Sequence, residues 1–455
     1  MICPAVSNDQ NSTVRGSEMA QDLAALRSRL RNDLIHRLRP MTGRDPKERG
    51  RSTSPLELLY DLTYVIAFAA AAEQLAHQIT EGHVAPAIGA YVFAIFAVSW
   101  AWLNFTWFAS AYDNDDAVFR IATIVQMIGV IILTFGLPLS FSDTAAGKSP
   151  NNLLMVVGYI VMRVPLVGLW LRAARQDLVR RRIALTYAVV IAIVQTGWLL
   201  TAVVGAPVWP TIAALVVLAV VEMAAPVVVE RRMGDVPWNA GHIAERFSLL
   251  TIITLGEVVA ATTAAVAALT QAQGWSIAAV VIISAGLILA AGFWWAYFLI
   301  PSRTILEKWP ERTFAWRYAH LPMFGAIAAV GAGLRVTAAA VEDDNLSVAQ
   351  IAVALAVPVA AVVLMIFVTW SVLMRSHDWS HVPLFVVSLV PLAAAVVVGM
   401  LAGDEPSGPV GSTHLAALVT VIALVGLSPV LEVVGHELIG YRHTVRVVER
   451  EISGT

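Results

Sequence analysis

The chain has almost no cysteine and very little charge. Its 455 residues include one cysteine, Cys3, so no disulfide within the chain can staple a fold. Charged residues make up 14%, against about 25% in an ordinary soluble domain. Lysine is nearly absent, with Lys47, Lys148 and Lys308 alone. A formal net charge of −2 leaves no basic footprint for nucleic acid. Residues 1–16 hold no charged stretch followed by an apolar run, so a cleavable leader is not expected. There is no Walker A loop, nucleophile elbow or Gly-rich dinucleotide fingerprint. His436-Glu437 is followed by Arg442-His443, which is not zincin spacing. A soluble multidomain enzyme, a disordered chain and a secreted disulfide scaffold are excluded by this composition, and the missing motifs argue against a primary ATP-driven pump. Neither a cofactor nor a metal site is expected.

What is present is apolar sequence. Hydrophobic residues reach 58%, and the mean hydropathy is +0.73. One water-soluble core cannot absorb that much; many apolar segments can. A helix needs about 20 apolar residues to cross a bilayer core, and runs of this length leave helices as the spanning form. Twelve segments qualify: 56–77, 84–108, 117–140, 152–171, 183–204, 208–229, 244–270, 276–300, 315–340, 347–374, 382–402 and 413–438. The tightest breaks, Gly205-Ala206-Pro207 and Gln271–Gly274, carry turn residues. The expected fold class is an all-α polytopic membrane protein with about twelve transmembrane helices.

Basic residues sort by side. The tail to residue 55 holds ten Lys/Arg. Every second loop and the carboxyl tail hold the others, with 24 on one side and only Lys148 opposite. That is a positive-inside arrangement with both termini cytoplasmic in a cell membrane. Arginine and alanine richness suggests a bacterial source. Within the tail, Leu23, Leu26, Leu30, Leu34 and Leu38 recur among arginines over 17–39. This basic amphipathic pattern suits an interfacial helix, or a flap on the bundle or a partly disordered tail.

A weak repeat is visible. A shift of 188 residues places Glu57 on Glu245, Thr63 on Thr251, Phe105 on Phe293 and Trp107 on Trp295. After a nine-residue gap, Arg120 falls on Arg317. Two parallel six-helix repeats would follow. The expected layout is a tail over 1–52, halves over 53–232 and 233–440, and a tail over 441–455.

Ionisable groups inside spans cost roughly 2.5–3.5 kcal/mol on insertion scales, so each needs a partner or a cavity. Ser54 and Pro55 open the first span as a cap and first-turn proline. Glu57 and Asp61 follow four apart, on one face, as a proton or cation site or a capped acid pair. His242, Glu245 and Arg246 lie close around the seventh span, and Glu257 sits about three turns deeper. Arg163 is near mid-helix and suits pairing with Asp61, Glu222 or Glu257. Arg120 and Arg335 lie near span ends, where they can snorkel. Glu432 and His436 share a face in the twelfth span, as polar contacts within the bundle. Asp113, Asp115 and Asp116 precede the third span, where capping is the better reading. Trp100, Trp102, Trp107, Trp294, Trp295 and Tyr297 fit an interfacial belt by default. His320 precedes Pro322 and is more often a structural contact than a ligand.

These residues resemble a family. Ser54-Pro55-Leu56-Glu57-Leu58-Leu59-Tyr60-Asp61-Leu62 is similar to the signature of bacterial low temperature requirement A proteins. Trp107-Phe108 with Tyr112-Asp113-Asn114-Asp115-Asp116, then Arg120, resemble further marks of that family. So do His242 through Glu257, Trp294-Trp295 with Tyr297-Phe298, and Tyr318 through Pro322. Together they run from about 52 to 440. Leu299 stands where an acid often follows the paired tryptophans, which puts a role for that position in doubt. The resemblance implies an integral membrane protein linked to growth in the cold, and supplies no biochemical activity.

The leading expectation is a proton- or cation-coupled secondary transporter of a small molecule. Glu57, Asp61, Arg120, Arg163, Glu245, Glu257 and His320 would form its binding or coupling network. The alternatives are a membrane-embedded enzyme acting on lipid, with an acid–base pair from Glu245, His242 and His320, or a sensor or scaffold for membrane adaptation. Expected partners are the lipid bilayer and an unidentified small molecule or ion.

Overall fold

The computed structural model describes residues 19, 22–28, 30, 38–48, 50–343, 346–375, 381–403 and 412–453. The first six long helices are α1 Pro55–Thr80, α2 Val84–Tyr112, α3 Ala117–Ala145, α4 Leu153–Gln176, α5 Arg181–Val204 and α6 Val208–Met233. The rest are α7 Ala240–Gln273, α8 Ile277–Phe298, α9 Ser302–Lys308, α10 Thr313–Asp343, α11 Val348–Met374, α12 His381–Leu401, α13 Ser412–Gly435 and α14 Tyr441–Ser453. Twelve helices among the described residues are long and apolar enough to cross a membrane. No strand occurs among those residues. The two short breaks are real turns. Gly205 ends α5 with φ +61°, and Gly274 ends α7 with φ +74°, a region that glycine enters without steric cost.

Burial ranks the helices. In its apolar stretch α10 is 83% buried, whereas α6 is 22% buried. Helix α10 is therefore the central post, packed on α7, α11 and α1. Helix α6 is peripheral, and Val216, Val217 and Val220 point outward. The halves meet where α1 and α2 pack against α7 and α10. The neighbour orders of the first and last six spans agree only in part, since α8 and α11 pack on α13 with no comparable contact of α2 or α4 on α6. Helix α1 packs on α3, α3 on α4 and α4 on α5; α7 packs on α10, α10 on α11 and α11 on α12.

Lipid is as apolar as a leucine side chain, so spans associate by close packing rather than by leaving water. Helices α3 and α4 show this. A Cβ added at Gly158 would stand 2.4 Å from the Leu133 nitrogen and 2.6 Å from the Gly129 carbonyl oxygen. Backbone meets backbone there, and neither side can yield. Gly158→Val is expected to cost about 1–3 kcal/mol through overpacking, read as a lowered thermal unfolding midpoint in detergent. Gly168→Val on the same helix is the control, because nothing lies within 4 Å of that position. Equal shifts for the two would contradict the packing account.

Residues 38–48 and 50–54 form a strap across one end of the bundle. Met41 N–H donates to Gln176 Oε1 (2.5 Å) and Arg44 N–H to the Ala111 carbonyl (3.0 Å). Asn239 Nδ2 donates to the Pro46 and Glu48 carbonyls, both at 3.0 Å. Arg51 donates to the Ser110 and Ala109 carbonyls. Of the amphipathic pattern over 17–39, residues 22–28 are helical with Leu23 and Leu26 exposed; Leu34 lies outside the described residues.

Candidate functional site

The densest charged cluster lies where α1 meets α7. Ser54 caps α1: its Oγ accepts the Glu57 N–H (3.3 Å), and Glu57 Oε2 accepts the Ser54 N–H (2.9 Å). This reciprocal box turns the Glu57 side chain back over the helix start. Its other oxygen, Oε1, accepts from Arg246 Nη1 (2.6 Å). One turn deeper, Asp61 Oδ1 accepts from Arg246 Nη2 (2.5 Å) and from Trp102 Nε1 (2.6 Å). The two nitrogens of one guanidinium thus hold two carboxylates at i and i+4, as the planar fork allows. His242 Nε2 lies 3.2 Å from Glu57 Oε1. All five side chains are sealed, with Glu57 the most exposed at 1%. Asp61 Oδ2, His242 Nδ1 and Arg246 Nε have no hydrogen-bond partner. The carboxylates number two and the guanidinium one, so these side chains carry −1 while His242 is neutral; Arg51 and Asp113, the next cation and anion around Glu57, cancel each other and leave that sum unchanged.

The other expected site residues do not join this cluster. Glu245 is one residue before Arg246, about 100° around the helix, and turns outward. It accepts the Thr53 N–H at 3.0 Å and lies 3.9 Å from Arg303. Glu257 pairs with Arg335 on α10 (2.7 Å), so Arg335 is a partner rather than a snorkelling cation. Arg163 pairs with Glu222 (2.9 Å), the second of its three expected partners. Tyr159 and Trp198 also donate to Glu222. Arg120 pairs with Asp115 at the helix start (2.7 Å). His320 donates from Nδ1 to the Trp316 carbonyl (2.8 Å), and its Nε2 lies 3.0 Å from the Tyr297 hydroxyl, from which the neutral ring accepts. The acid–base pair drawn from Glu245, His242 and His320 is not assembled, since each faces a different partner.

The belt reading fails for three of its five tryptophans and for Tyr297, which is 3% exposed. Trp294 and Trp295 are 46% and 49% exposed, but Trp100, Trp102 and Trp107 are buried. The reason is polar: the indole N–H groups of Trp102 and Trp107 donate to buried carboxylates, Asp61 and Glu230. A tryptophan with a partner inside need not sit at the interface.

Capping is the role of the acidic turn. Asp116 Oδ1 accepts the Phe119 N–H (2.9 Å). Its carboxylate also takes both Arg172 nitrogens and the Arg39 N–H. Burial opposes ionisation of Asp116, but Arg172 and these N–H groups outweigh it and hold its pKa at about 2, below the ordinary 3.8. Asp113, by contrast, is pushed up to about 6 by burial and by the charge of Glu57. A carboxylate with a lowered folded-state pKa stabilises above its unfolded value and loses that contribution on acidification. Arg172 and the Phe119 and Arg39 N–H groups together are expected to contribute about 2 kcal/mol that disappears as the pH falls from about 4 to about 2. Asp116→Asn should flatten the stability profile across that window, measured by thermal unfolding against pH. An unchanged profile would contradict it.

A small apolar hollow of about 20 Å³ opens between α2, α3, α4 and α5, lined among others by Phe93, Leu133, Met155, Tyr159 and Trp198. Glu57, Asp61 and Glu257 are not among its walls. Among the described residues no three His, Cys, Asp or Glu side chains group as a metal site.

The family model for bacterial low temperature requirement A protein matches residues 52–431. The chain belongs to this family. The match takes in both carboxylates of α1, the Arg246 helix and the central α10, so the charged cluster lies inside the family region. An uncharacterized protein of Rhizobium meliloti (strain 1021) is 26% identical over 290 residues, covering 60% of this chain and 66% of the relative. The chain thus spans just under two thirds of that relative's length. No solved structure matches.

Two arginines of this family region were not assigned to the network. The sequence sets Arg246 next to Glu245 and at i+4 from His242, without a role of its own. Arg317 was legible only as the repeat mate of Arg120.

Proposed function

We propose that this low temperature requirement A protein is a proton- or cation-coupled secondary transporter in a cell membrane, with both termini cytoplasmic. Glu57, Asp61 and Arg246 would be its coupling site. One observation carries the reading: a single buried guanidinium is shared by two carboxylates from the other half, and Asp61 Oδ2 stays unpaired. The cluster lacks one positive charge. One proton or monovalent cation at Asp61 cancels the −1 and lowers the cost of rearranging that site in low dielectric. The two halves meet at the cluster, so loading it biases how they pack, as a ligand with different affinity for two states must. The shared part of the neighbour order, α1–α3–α4–α5 against α7–α10–α11–α12, supports a two-repeat plan, and alternating access enters by fold analogy.

The test uses the full chain in proteoliposomes with a trapped pH dye. Monocarboxylates, amino acids and inorganic ions are added outside in turn, with and without a sodium gradient. At least one solute is expected to move with a change in dye signal or a dependence on sodium. Asp61→Asn, which keeps an acceptor for Trp102, should abolish that coupling with little change in unfolding temperature. Silence across the panel, or coupling unaffected by Asp61→Asn, would sink the proposal.

A further inference from the structure

A second charged site lies on the strap side of the half interface, and both its charged members keep polar atoms without hydrogen-bond partners. Arg317 on α10 is fully buried. Its Nε, Nη1 and Nη2 complete no hydrogen bond of normal geometry, and the Tyr318 hydroxyl beside it already donates to the Met223 carbonyl (2.8 Å). The guanidinium carbon stands 3.8 Å from the ring centres of both Trp107 and Phe314, and 5.2 Å from that of Tyr318. Aromatic faces compensate a cation in part, but they accept nothing from the N–H edges. A buried charge without a hydrogen-bonded partner is strongly unfavourable.

Glu230 of α6 is the complementary case. It is 4% exposed. Its Oε1 accepts from Trp107 Nε1 (2.8 Å) and the Tyr187 hydroxyl (2.5 Å), whereas Oε2 has no partner. Five N–H donors and one carboxylate oxygen are therefore unspent in one aromatic-lined region. Direct pairing of the two would satisfy both, yet they stand apart. A group that fits between them needs an acceptor pair for the guanidinium fork and one contact at Glu230 Oε2.

We propose that Arg317 and Glu230 form a binding site for a small organic monocarboxylate taken up together with one proton. The carboxylate lies against the Arg317 fork, which matches its planar bidentate geometry. The proton resides on Glu230 Oε2 and turns that oxygen from a repelling acceptor into a donor toward the bound anion. Trp107, Phe314 and Tyr318 receive the apolar body. Charge balances: an anion and a proton add nothing to a site that already holds one cation and one anion. The groups facing Glu230 are Tyr187 from α5, Trp107 from α2 and Arg317 from α10, with Asp235 after α6 and Tyr318 also nearby. The proposal deepens the transport reading by naming a substrate class, but binding itself does not depend on that reading.

Equilibrium binding of benzoate and acetate to the purified full chain in detergent tests this, by calorimetry and tryptophan fluorescence between pH 6 and pH 8. Binding is expected to weaken with rising pH, by at most about tenfold per unit for one linked proton. Glu230→Gln supplies a permanent donor at the same place. It should bind at pH 8 as tightly as at pH 6. Arg317→Lys should lose about tenfold or more at both pH values, because an ammonium lacks the fork. Unfolding temperatures recorded alongside separate lost binding from lost fold, and Glu230→Gln remains decisive if Arg317→Lys does not fold. No carboxylate binding to the wild-type chain, binding of inorganic phosphate alone, or pH dependence that survives Glu230→Gln would overturn the assignment. Binding without transport in proteoliposomes would leave this site standing and remove the transport reading. Transport without carboxylate binding would do the reverse.

Discussion

Arg246→Met is expected to destabilise the protein by about 3–5 kcal/mol, the usual cost of breaking a buried ion cluster by removing one partner. The arginine is fully buried and donates to Glu57 at 2.6 Å and Asp61 at 2.5 Å. Without it, two carboxylates one helical turn apart face each other with only His242, Trp102 and the Ser54 N–H to answer them. The loss is therefore the price of two stranded acids. Adding Glu57→Gln and Asp61→Asn to Arg246→Met is expected to recover most of the stability, since no net charge then remains buried. Thermal and denaturant unfolding of the single and triple variants in detergent checks this. If the triple variant were as unstable as the single one, packing by Arg246 rather than its charge would be responsible.

The Arg163–Glu222 pair is expected to behave asymmetrically. Both side chains are buried, at 2% and 7% exposure. Glu222→Leu strands a guanidinium in mid-helix, with only the Tyr159 hydroxyl (2.6 Å) and the Tyr159 ring (4.5 Å) left to it. Arginine cannot shed its charge, so a cost of about 3–5 kcal/mol is expected. Arg163→Leu strands the acid, but Glu222 keeps Trp198 Nε1 (3.0 Å) and the Tyr159 hydroxyl (3.2 Å) as donors. It can also take a proton. Its loss should be smaller by about 1–2 kcal/mol, given the worth of hydrogen bonds to a buried charge. Unfolding midpoints of the two variants decide the order, and a larger loss for Arg163→Leu would refute the argument.

Much of the candidate site was readable one helix at a time. Glu57 and Asp61 share a face because 3.6 residues make a turn. Ser54 and Pro55 announced the cap, and Asp116 the next one. Arg163 was marked as needing a partner, with Glu222 among the three options. Which option held was not readable, because α4 and α6 are far apart in sequence and apolar on most faces. The same limit produced the larger misreadings. Glu245 and Arg246 are adjacent, and only the rotation of α7 against α1 decides which of them turns inward. Trp100, Trp102 and Trp107 look like belt residues until Asp61 and Glu230 are seen to take two of their N–H groups.

By itself the sequence determined the class of the protein, its twelve spans and the list of charges that a bilayer makes costly. Those properties are local: a run of apolar residues must be helical in lipid, whatever lies beside it. Tertiary structure alone decided the pairings. It gave Arg246 two acids, Arg163 one, and Arg317 none. Charges in low dielectric are governed by their nearest partner, and between helices that partner is set by packing rather than by order along the chain.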